Sequence, residues 1–290
     1  MDISNNKKIF IAGGRGFIGQ TLCRELESSG FSVVILSRSE YQSNPTKLAE
    51  QIDGSFALIN LAGATINKRW NENYKTEILE SRIQSTTTIA QAIDLCKQPP
   101  ERFISTSAVG IYDTFHIHTE QSTSFADGFL SEVCMKWEAS TTTVDRTTKR
   151  TIIRLGVVLG MNGGMLKKLK PLFKLYLGGR MGSGNQLFPL IHIQDVVGAI
   201  IHILSMQSPA EIYNLVSPKI ITNKQFTRAF AKALHRPAIW TVPAFALKII
   251  LGNRSALILD GQTVIPEKLQ QEGYVFRFPD VTNAEFWKNT

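Results

Sequence analysis

Four glycines near the start of the chain have the spacing of a phosphate-binding turn. Gly14, Gly16 and Gly19 fit the pattern G-x-G-x-x-G, and Gly13 extends it to the overlapping G-x-x-G-x-x-G. Glycine permits a tight turn, close approach of the backbone to a pyrophosphate, and close packing of helix on strand. A pyrophosphate there would bind free N–H groups at the positive end of a helix dipole. The predicted cofactor contacts in this turn are Gly13, Gly14, Arg15, Gly16, Phe17, Ile18 and Gly19.

The flanking sequence gives this turn the context that such a site requires. The apolar run 9–11 predicts a buried strand before the turn, and 20–29 predicts a helix after it. A glycine-rich turn without a ligand is the alternative. A strand before and a helix after the glycines favour dinucleotide binding over that alternative.

The end of the second predicted strand, 31–36, decides which dinucleotide fits. An acidic residue there would hold a ribose 2′-hydroxyl, but the chain has Ser37 and Arg38, and Glu40 falls later in the loop. Arg38 and Arg15 suit a 2′-phosphate dianion through charge-assisted hydrogen bonds. We therefore expect NADP(H) rather than NAD(H), with Ser37 and Arg38 as contacts. The alternative is that both arginines are solvated surface charges.

Two further predicted strands end in residues suited to a ligand. The strand 56–61 ends at Leu61 and is followed by Ala62 and Gly63. These three residues would let a cofactor lie against the backbone. The strand 102–106 is followed by Ser107, at the sheet edge where open α/β proteins bind ligands. We expect Ser107 to hold a substrate oxygen. The alternative is a serine that caps local backbone.

Strands and helices alternate over most of the chain, which predicts a doubly wound parallel α/β sheet. Residues 151–159 are predicted to form one strand, and 166–176 an amphipathic helix with solvated lysines. The glycine-rich segment 178–186 suggests backbone near a ligand or a mobile lid. We predict a dinucleotide-binding domain from 1–165 plus 188–216. A smaller, mostly helical substrate-side domain would comprise 166–187 plus 217–290.

Composition excludes several other classes of protein. The chain has 290 residues, 43% hydrophobic content and a net charge of +8. The positive charge fits an anionic cofactor and a small anionic substrate, and no nucleic-acid motif accompanies it. We found no apolar run that could span a bilayer and no signal segment, so we expect a cytoplasmic protein without a membrane partner. The three cysteines lack metal-ligand spacing and are predicted to be reduced thiols.

Together these motifs resemble the extended short-chain dehydrogenase/reductase superfamily, which contains the NAD(P)-dependent epimerases and dehydratases. Within it the chain resembles an atypical "epimerase family protein" branch that has its own C-terminal domain. The resemblance implies a Rossmann fold and a small-molecule substrate such as a nucleotide sugar, and it leaves a homodimer open. Its further motifs are Asn60–Ala64, Arg69-Trp70, Ser81-Arg82, Ser107–Tyr112, Trp137-Glu138, Arg154–Gly160, Gly182–Gly184, His192–Asp195 and Ile265–Leu269.

The chain departs from the superfamily at its catalytic pair, Tyr-x-x-x-Lys. In that pair the lysine charge lowers the tyrosine pKa, so that the hydroxyl exchanges a proton while hydride moves. Alignment on Trp137-Glu138 puts Leu130 and Cys134 at the two positions, and neither can do that work in the usual way. Tyr112 is then the best remaining hydroxyl acid.

A cation must replace the missing lysine if the chain is an enzyme. The candidates are Arg69, Arg82 and Lys136. Two functions stay open at this point. One is an NADP(H)-dependent oxidoreductase or epimerase that uses Ser107 and Tyr112. The other is a non-catalytic NADP(H)-binding sensor or regulatory protein, which would explain the lost pair directly.

Overall fold

A computed structural model describes residues 7–42, 44–144, 147–161 and 163–288. The strands are β1 (Lys8–Ala12), β2 (Ser32–Leu36), β3 (Ala57–Asn60), β4 (Arg102–Ala108), β5 (Ile117–His118), β6 (Lys149–Leu155), β7 (Val157–Leu159), β8 (Gly179–Met181), β9 (Leu190–His192), β10 (Ile212–Leu215), β11 (Trp240–Val242) and β12 (Thr263–Val264). The helices are α1 (Phe17–Ser28), α2 (Pro45–Ile52), α3 (Glu72–Leu95), α4 (Phe129–Ala139), α5 (Gly164–Lys174), α6 (Ile193–Ser205), α7 (Asn223–Ala233), α8 (Ala244–Leu251), α9 (Ala256–Leu259), α10 (Glu267–Gln271) and α11 (Ala284–Lys288).

The central sheet has six parallel strands in the order β2-β1-β3-β4-β6-β10. From β1 the chain first passes to β2 on one side and then crosses to β3 on the other. This reversal opens a crevice at the carboxyl ends of β1 and β3, which is where doubly wound sheets bind ligands. The predicted doubly wound parallel sheet is confirmed.

Helices cover both faces of the sheet and bury two apolar clusters. On one face α1 and α6 pack together, and Leu22, Leu26 and Ile200 are fully buried against the strands. On the other face α2 and α3 bury Ile52 and Ile89. The apolar side chains recur at helical spacing, so each helix presents a single stripe to the sheet. None of the helices in the described ranges is long and apolar enough to cross a membrane.

A third apolar cluster includes residues of α5, α7 and α11. Phe226 and Phe230 of α7 are buried, and Phe173 of α5 packs edge-on against Phe230 with ring centroids 4.8 Å apart. Thr222 and Gln225 form a reciprocal capping box that satisfies the first N–H groups of α7. The domain boundaries predicted above stay a prediction.

The prediction of one strand over 151–159 is wrong. Gly156 divides it into β6 of the central sheet and β7, which pairs with β9. A Cβ at Gly156 would lie 2.8 Å from the Pro189 carbonyl oxygen, so the close approach of β9 requires glycine at the break. The serine strand is also longer than predicted, since β4 continues to Ala108 and includes Ser107.

The C-terminal tail is attached to α6 through one buried carboxylate. Asp195 accepts hydrogen bonds from the backbone N–H groups of Arg277 (2.7 Å) and Phe278 (2.9 Å). The neighbouring His192 caps α6 through Nδ1, and its ring centroid lies 4.0 Å from that of Phe278. Burial, followed by the charge of Arg277, lowers the pKa of His192 to about 4.

We expect His192 to make the folded protein less stable as pH falls. Its folded pKa of about 4 lies below the ordinary value of 6.5, so between these values the unfolded chain binds a proton that the folded chain does not. From pH 7 to pH 5 this group should remove about 2 kcal/mol of the free energy of unfolding. The variant His192→Asn keeps a capping oxygen but has no group that titrates in this range. In urea unfolding, its free energy of unfolding should fall by about 2 kcal/mol less from pH 7 to pH 5 than that of the wild type. An equal fall in the two proteins would contradict the assignment to His192.

Candidate functional site

The glycine turn closes tightly against the end of β3. Gly13 has φ +80, and a Cβ there would lie 2.7 Å from the Leu61 carbonyl carbon. A Cβ at Gly19 would lie 2.5 Å from the Gly13 oxygen. Ala12–Gly14 and α1 can therefore pack this closely only with glycine at both positions. This contact places the turn beside Leu61 and Ala62, as the sequence expectation required.

The helix that follows the turn offers an open N-terminus. Gly16 is the N-cap residue of α1, it has no side chain to cap the helix, and it is exposed. The first turn of α1 contains no acidic residue. The N–H groups at the start of the helix are thus available to an anion, which the helix dipole also favours.

Phe17 joins this turn to a second glycine-rich segment. Its ring packs against the backbone after β7, where a Cβ at Gly160 would lie 2.8 Å from the ring and a Cβ at Gly163 would lie 2.1 Å from it. Ile18, the next residue, packs against the apolar cluster that α1 and α6 bury on one face of the sheet. The cofactor turn and the entry to α5 are therefore shaped by one aromatic ring.

At the end of β2 the carboxylate of Glu40 lies beside the predicted cofactor contacts Ser37 and Arg38. Glu40 Oε2 accepts the Ser37 backbone N–H at 2.6 Å, and the hydrogen bonds from the Ser37 hydroxyl and from that N–H lower the pKa of Glu40. Arg38 is exposed, and its Nε donates to Gln42 at 3.0 Å. Arg15 is exposed and lowers the Glu40 pKa through its charge. Both arginines thus face solvent around a strand end that already holds an anion.

Hydrogen bonds that meet at Thr86 of α3 fix the end of β3. Asn60 donates to Thr86 Oγ1 at 2.9 Å and accepts from the Ala62 N–H at 3.1 Å. Trp137 Nε1 also donates to Thr86 Oγ1, at 3.0 Å. These contacts tie the loop after β3 to α3 and α4. They hold Ala62 buried and leave Gly63 exposed at the crevice.

Arg82 of α3 lies directly beneath that exposed glycine. A Cβ at Gly63 would lie 3.1 Å from the Arg82 guanidinium carbon, which is 5.0 Å from the centre of the Trp137 ring. Burial lowers the pKa of Arg82, and the neighbouring Cys134 opposes that effect. Of the other candidate cations, Arg69 is exposed, and Lys136 is paired with Glu132 at 2.7 Å.

Ser107 is part of a buried polar network. Its hydroxyl donates to Glu138 Oε1 at 2.6 Å, and only 2% of the residue is exposed. Arg154 of β6 binds the same carboxylate through Nε at 2.8 Å and a terminal nitrogen at 2.7 Å. Burial disfavours the Arg154 cation, but the hydrogen bonds and charge of Glu138 outweigh this and raise the Arg154 pKa. This is the bidentate geometry that a buried carboxylate and guanidinium require.

Tyr112 lies at the other end of this network. Its hydroxyl accepts from Arg154 at 2.7 Å and lies 2.9 Å from Asn214 Oδ1, and the residue is fully buried. Burial raises the Tyr112 pKa, and the charge of Arg154 opposes that shift. The hydroxyl is thus enclosed by protein groups. Its role as a catalytic acid stays a prediction, and this surrounding favours a positioning role instead.

The positions of the missing catalytic pair have an apolar character. Leu130 packs against the buried apolar cluster of Trp70, Ile78 and Val133. Burial, followed by the charge of Glu138, raises the pKa of Cys134 to about 11, so its thiol is protonated at neutral pH. Neither residue supplies the charge that the usual mechanism needs.

Comparison with known proteins places this geometry in a family. Residues 9–215 match the NAD dependent epimerase/dehydratase family, and residues 242–284 match a C-terminal domain of unknown function, DUF1731. The chain belongs to the NAD-dependent epimerase/dehydratase family. The predicted resemblance to this superfamily and to its "epimerase family protein" branch is thereby confirmed.

Relatives and solved structures agree with this assignment. Epimerase family protein SSP1921 of Staphylococcus saprophyticus is 35% identical over 291 residues, covering 96% of this chain and 98% of the relative. The crystal structure of human epimerase family protein SDR39U1 with NADPH superposes with a TM-score of 0.90 at 33% identity, covering 97% and 98% of the two chains. UDP-glucuronic acid 4-epimerase from Bacillus cereus, solved with UDP-glucuronic acid and NAD, superposes at 0.74 with 14% identity over 97% of each chain. The last match shows a shared fold alone.

The sequence reasoning missed two residues of the buried network. Glu138 and Arg154 were noted as motif residues but received no role. A signal was present, because an arginine inside an otherwise apolar strand must be paired when it is buried. Glu138 lies one helical turn after Cys134 and so faces the same strand.

We expect Glu138→Gln to destabilise the protein by about 3 kcal/mol, since it leaves the Arg154 guanidinium buried without its counter-charge. Glu132→Gln is the matched control, because that carboxylate pairs with Lys136 at the surface, and it should cost less than about 0.5 kcal/mol. Urea unfolding measures both. The double variant Glu138→Gln/Arg154→Met should recover part of the loss. Equal effects of the two single variants would contradict the role of the pair.

Proposed function

We propose that this protein binds NADP(H) at the glycine turn and transfers hydride between that cofactor and the oxygen-bearing carbon of a small anionic substrate. The observation that supports this most is the glycine cradle beneath an open helix N-terminus, with Arg82 at the same crevice. The residues fit the group. Added Cβ atoms at Gly13 and Gly19 would break the turn, and no side chain caps the first N–H groups of α1.

The choice of NADP(H) over NAD(H) rests on Arg15 and Arg38. Both guanidinium groups are exposed beside the end of β2 and can donate to a 2′-phosphate. Glu40 engages both the Ser37 N–H and the Ser37 hydroxyl, so a phosphate there would meet the two arginines first. The NADPH in the structure of the human relative supports the same choice.

The cofactor, when bound, supplies or accepts a hydride, and the chain supplies the electrostatics. Arg82 would hold the substrate oxygen on which negative charge develops, since a guanidinium in a partly buried site stabilises such charge strongly. Ser107 donates its proton to Glu138, so it would orient the substrate by accepting a hydrogen bond from one of its donor groups. We assign Tyr112 to positioning Arg154. The proton that completes the product would come from solvent.

A second function is favoured by a separate observation. Leu130 lies in an apolar cluster, the Cys134 thiol is protonated, and the Tyr112 hydroxyl is enclosed by protein. These three features suit a protein that holds NADP(H) as a sensor or regulator without turnover.

Replacing Arg38 by alanine should weaken NADPH binding. Loss of a charge-assisted hydrogen bond at a solvated site should raise the Kd for NADPH roughly tenfold, and it should change the Kd for NADH less than about twofold. Titration followed by nicotinamide fluorescence measures both constants. Arg24→Ala, an exposed arginine on α1, is the control. An unchanged preference for NADPH would remove Arg38 from the cofactor site.

Replacing Arg82 by glutamine should separate the two functions. With NADPH and a panel of small anionic carbonyl compounds, kcat/KM should fall roughly 100-fold or more, because the charge that stabilises the developing oxyanion is lost. Arg82→Lys should retain more activity than Arg82→Gln, and Arg69→Gln should behave as wild type. NADPH Kd should stay within about threefold of wild type. Tight NADPH binding with no turnover by the wild type on this panel would support the sensor instead.

A further inference from the structure

The charges of this chain are segregated along its length. Residues 146–194 and 212–259 contain 16 of the 32 Lys and Arg residues and none of the 24 Asp and Glu residues. All 24 acidic residues therefore lie in the rest of the chain, whose own charge is net negative. These two segments pack together through β6 with β10 and through β8 with β11. The excess positive charge thus belongs to two segments that contact each other.

The same segments expose large apolar side chains. On α5 and the turn after it, Leu172, Leu175 and Tyr176 are exposed, and on β11 and α8, Trp240, Phe245 and Ile249 are exposed. We call these six residues the apolar face. Trp240 Nε1 donates to the Tyr176 carbonyl oxygen at 2.8 Å, which joins the two parts. Phe245 is 68% exposed and Ile249 is 78% exposed, one helical turn apart on α8.

Lysines border this face without acidic partners. Lys167, Lys168 and Lys174 of α5 are exposed, and none of them pairs with a carboxylate among the described residues. Lys248 is exposed between Phe245 and Ile249 on α8. Solvent-facing apolar groups of this size are costly in a free monomer and mark an interaction surface. The positive border favours a negatively charged occupant.

We propose that the apolar face and its lysines dock this protein on the surface of an anionic lipid bilayer. Exposed aliphatic side chains together with an indole and a phenol suit the boundary between acyl chains and headgroups. Lysines beside them attract anionic headgroups. A nucleic acid would use the aromatic rings but not the leucines and isoleucine. We expected no membrane partner because the chain lacks a spanning segment, but peripheral docking requires none.

Vesicle co-sedimentation of the full chain tests the proposal. The protein should sediment with phosphatidylcholine vesicles that contain about one third phosphatidylglycerol. It should remain in solution with pure phosphatidylcholine vesicles, and about 0.5 M salt should release it from the anionic ones. The fluorescence of Trp240 should shift to the blue on binding, and this shift should be absent in Trp240→Phe. Failure to sediment with anionic vesicles, or equal binding to neutral ones, would overturn the proposal.

Variants of the apolar face supply the second arm. Phe245→Ser/Ile249→Ser should weaken binding to anionic vesicles roughly tenfold or more, since two exposed side chains lose their insertion. Phe115→Ser/Val275→Ser is the matched control, because these residues are 88% and 85% exposed outside the two segments, and it should bind as wild type. All four positions are at the surface, so thermal unfolding should be little changed. Equal binding by both double variants would overturn the proposal.

The lysines supply the third arm. Lys167→Gln/Lys168→Gln/Lys174→Gln should bind anionic vesicles roughly tenfold more weakly, whereas Lys47→Gln/Lys97→Gln should bind as wild type. Two other occupants are outcomes that overturn the proposal. One is tight binding of single-stranded DNA that needs the lysines but not Phe245 and Ile249. The other is a dimer in solution that the apolar-face variant dissociates.

Discussion

The buried ion pair between Glu138 and Arg154 is the constraint on which this sheet edge depends. A carboxylate and a guanidinium withdrawn from water are stable only when each fills the other's hydrogen bonds. Here the pair also accepts the Ser107 hydroxyl and donates to Tyr112, which contacts Asn214. The backbone N–H of Asn214 in turn donates to Glu120. Side-chain hydrogen bonds around a single charged pair thus connect strand β4, helix α4, strand β6 and strand β10.

The two positions of the missing catalytic pair, Leu130 and Cys134, lie on the same helix as Glu138 and have a structural role instead. The space around Leu130 is filled with apolar side chains, and the thiol of Cys134 is protonated, so this end of α4 is built for packing. In the proposed site, positive charge would come instead from α3, through Arg82 beside Gly63. A guanidinium that stacks on Trp137 cannot titrate near neutral pH as a lysine–tyrosine pair does. Chemistry at this site would therefore depend on fixed charge rather than on a shifted tyrosine pKa.

Sequence patterns predicted the central sheet well and its polar interior poorly. The glycine spacing and the alternation of elements were sufficient for β1, α1 and the sheet class, because local geometry and periodicity decide them. The pattern could not find the break at Gly156, since both halves of that apolar run are strands and only the approach of Pro189 separates them. Glu40 was expected in a loop away from the strand end, yet its side chain returns to Ser37. Ser107 was expected to hold a substrate oxygen because of its place at the sheet edge, and Tyr112 was expected to be the best remaining hydroxyl acid. Their burial depends on Glu138 and Arg154, which are 31 and 47 residues from Ser107 in sequence.

The contact between Phe17 and the glycines after β7 has a consequence for variation in this fold. The ring lies where side chains at Gly160 and Gly163 would be, so a change on either side is accommodated only by a change on the other. A cofactor turn transplanted from a distant homologue would clash or leave a void unless the segment 160–164 came with it. The two segments are about 145 residues apart in the chain but should be inherited, exchanged and redesigned as one unit.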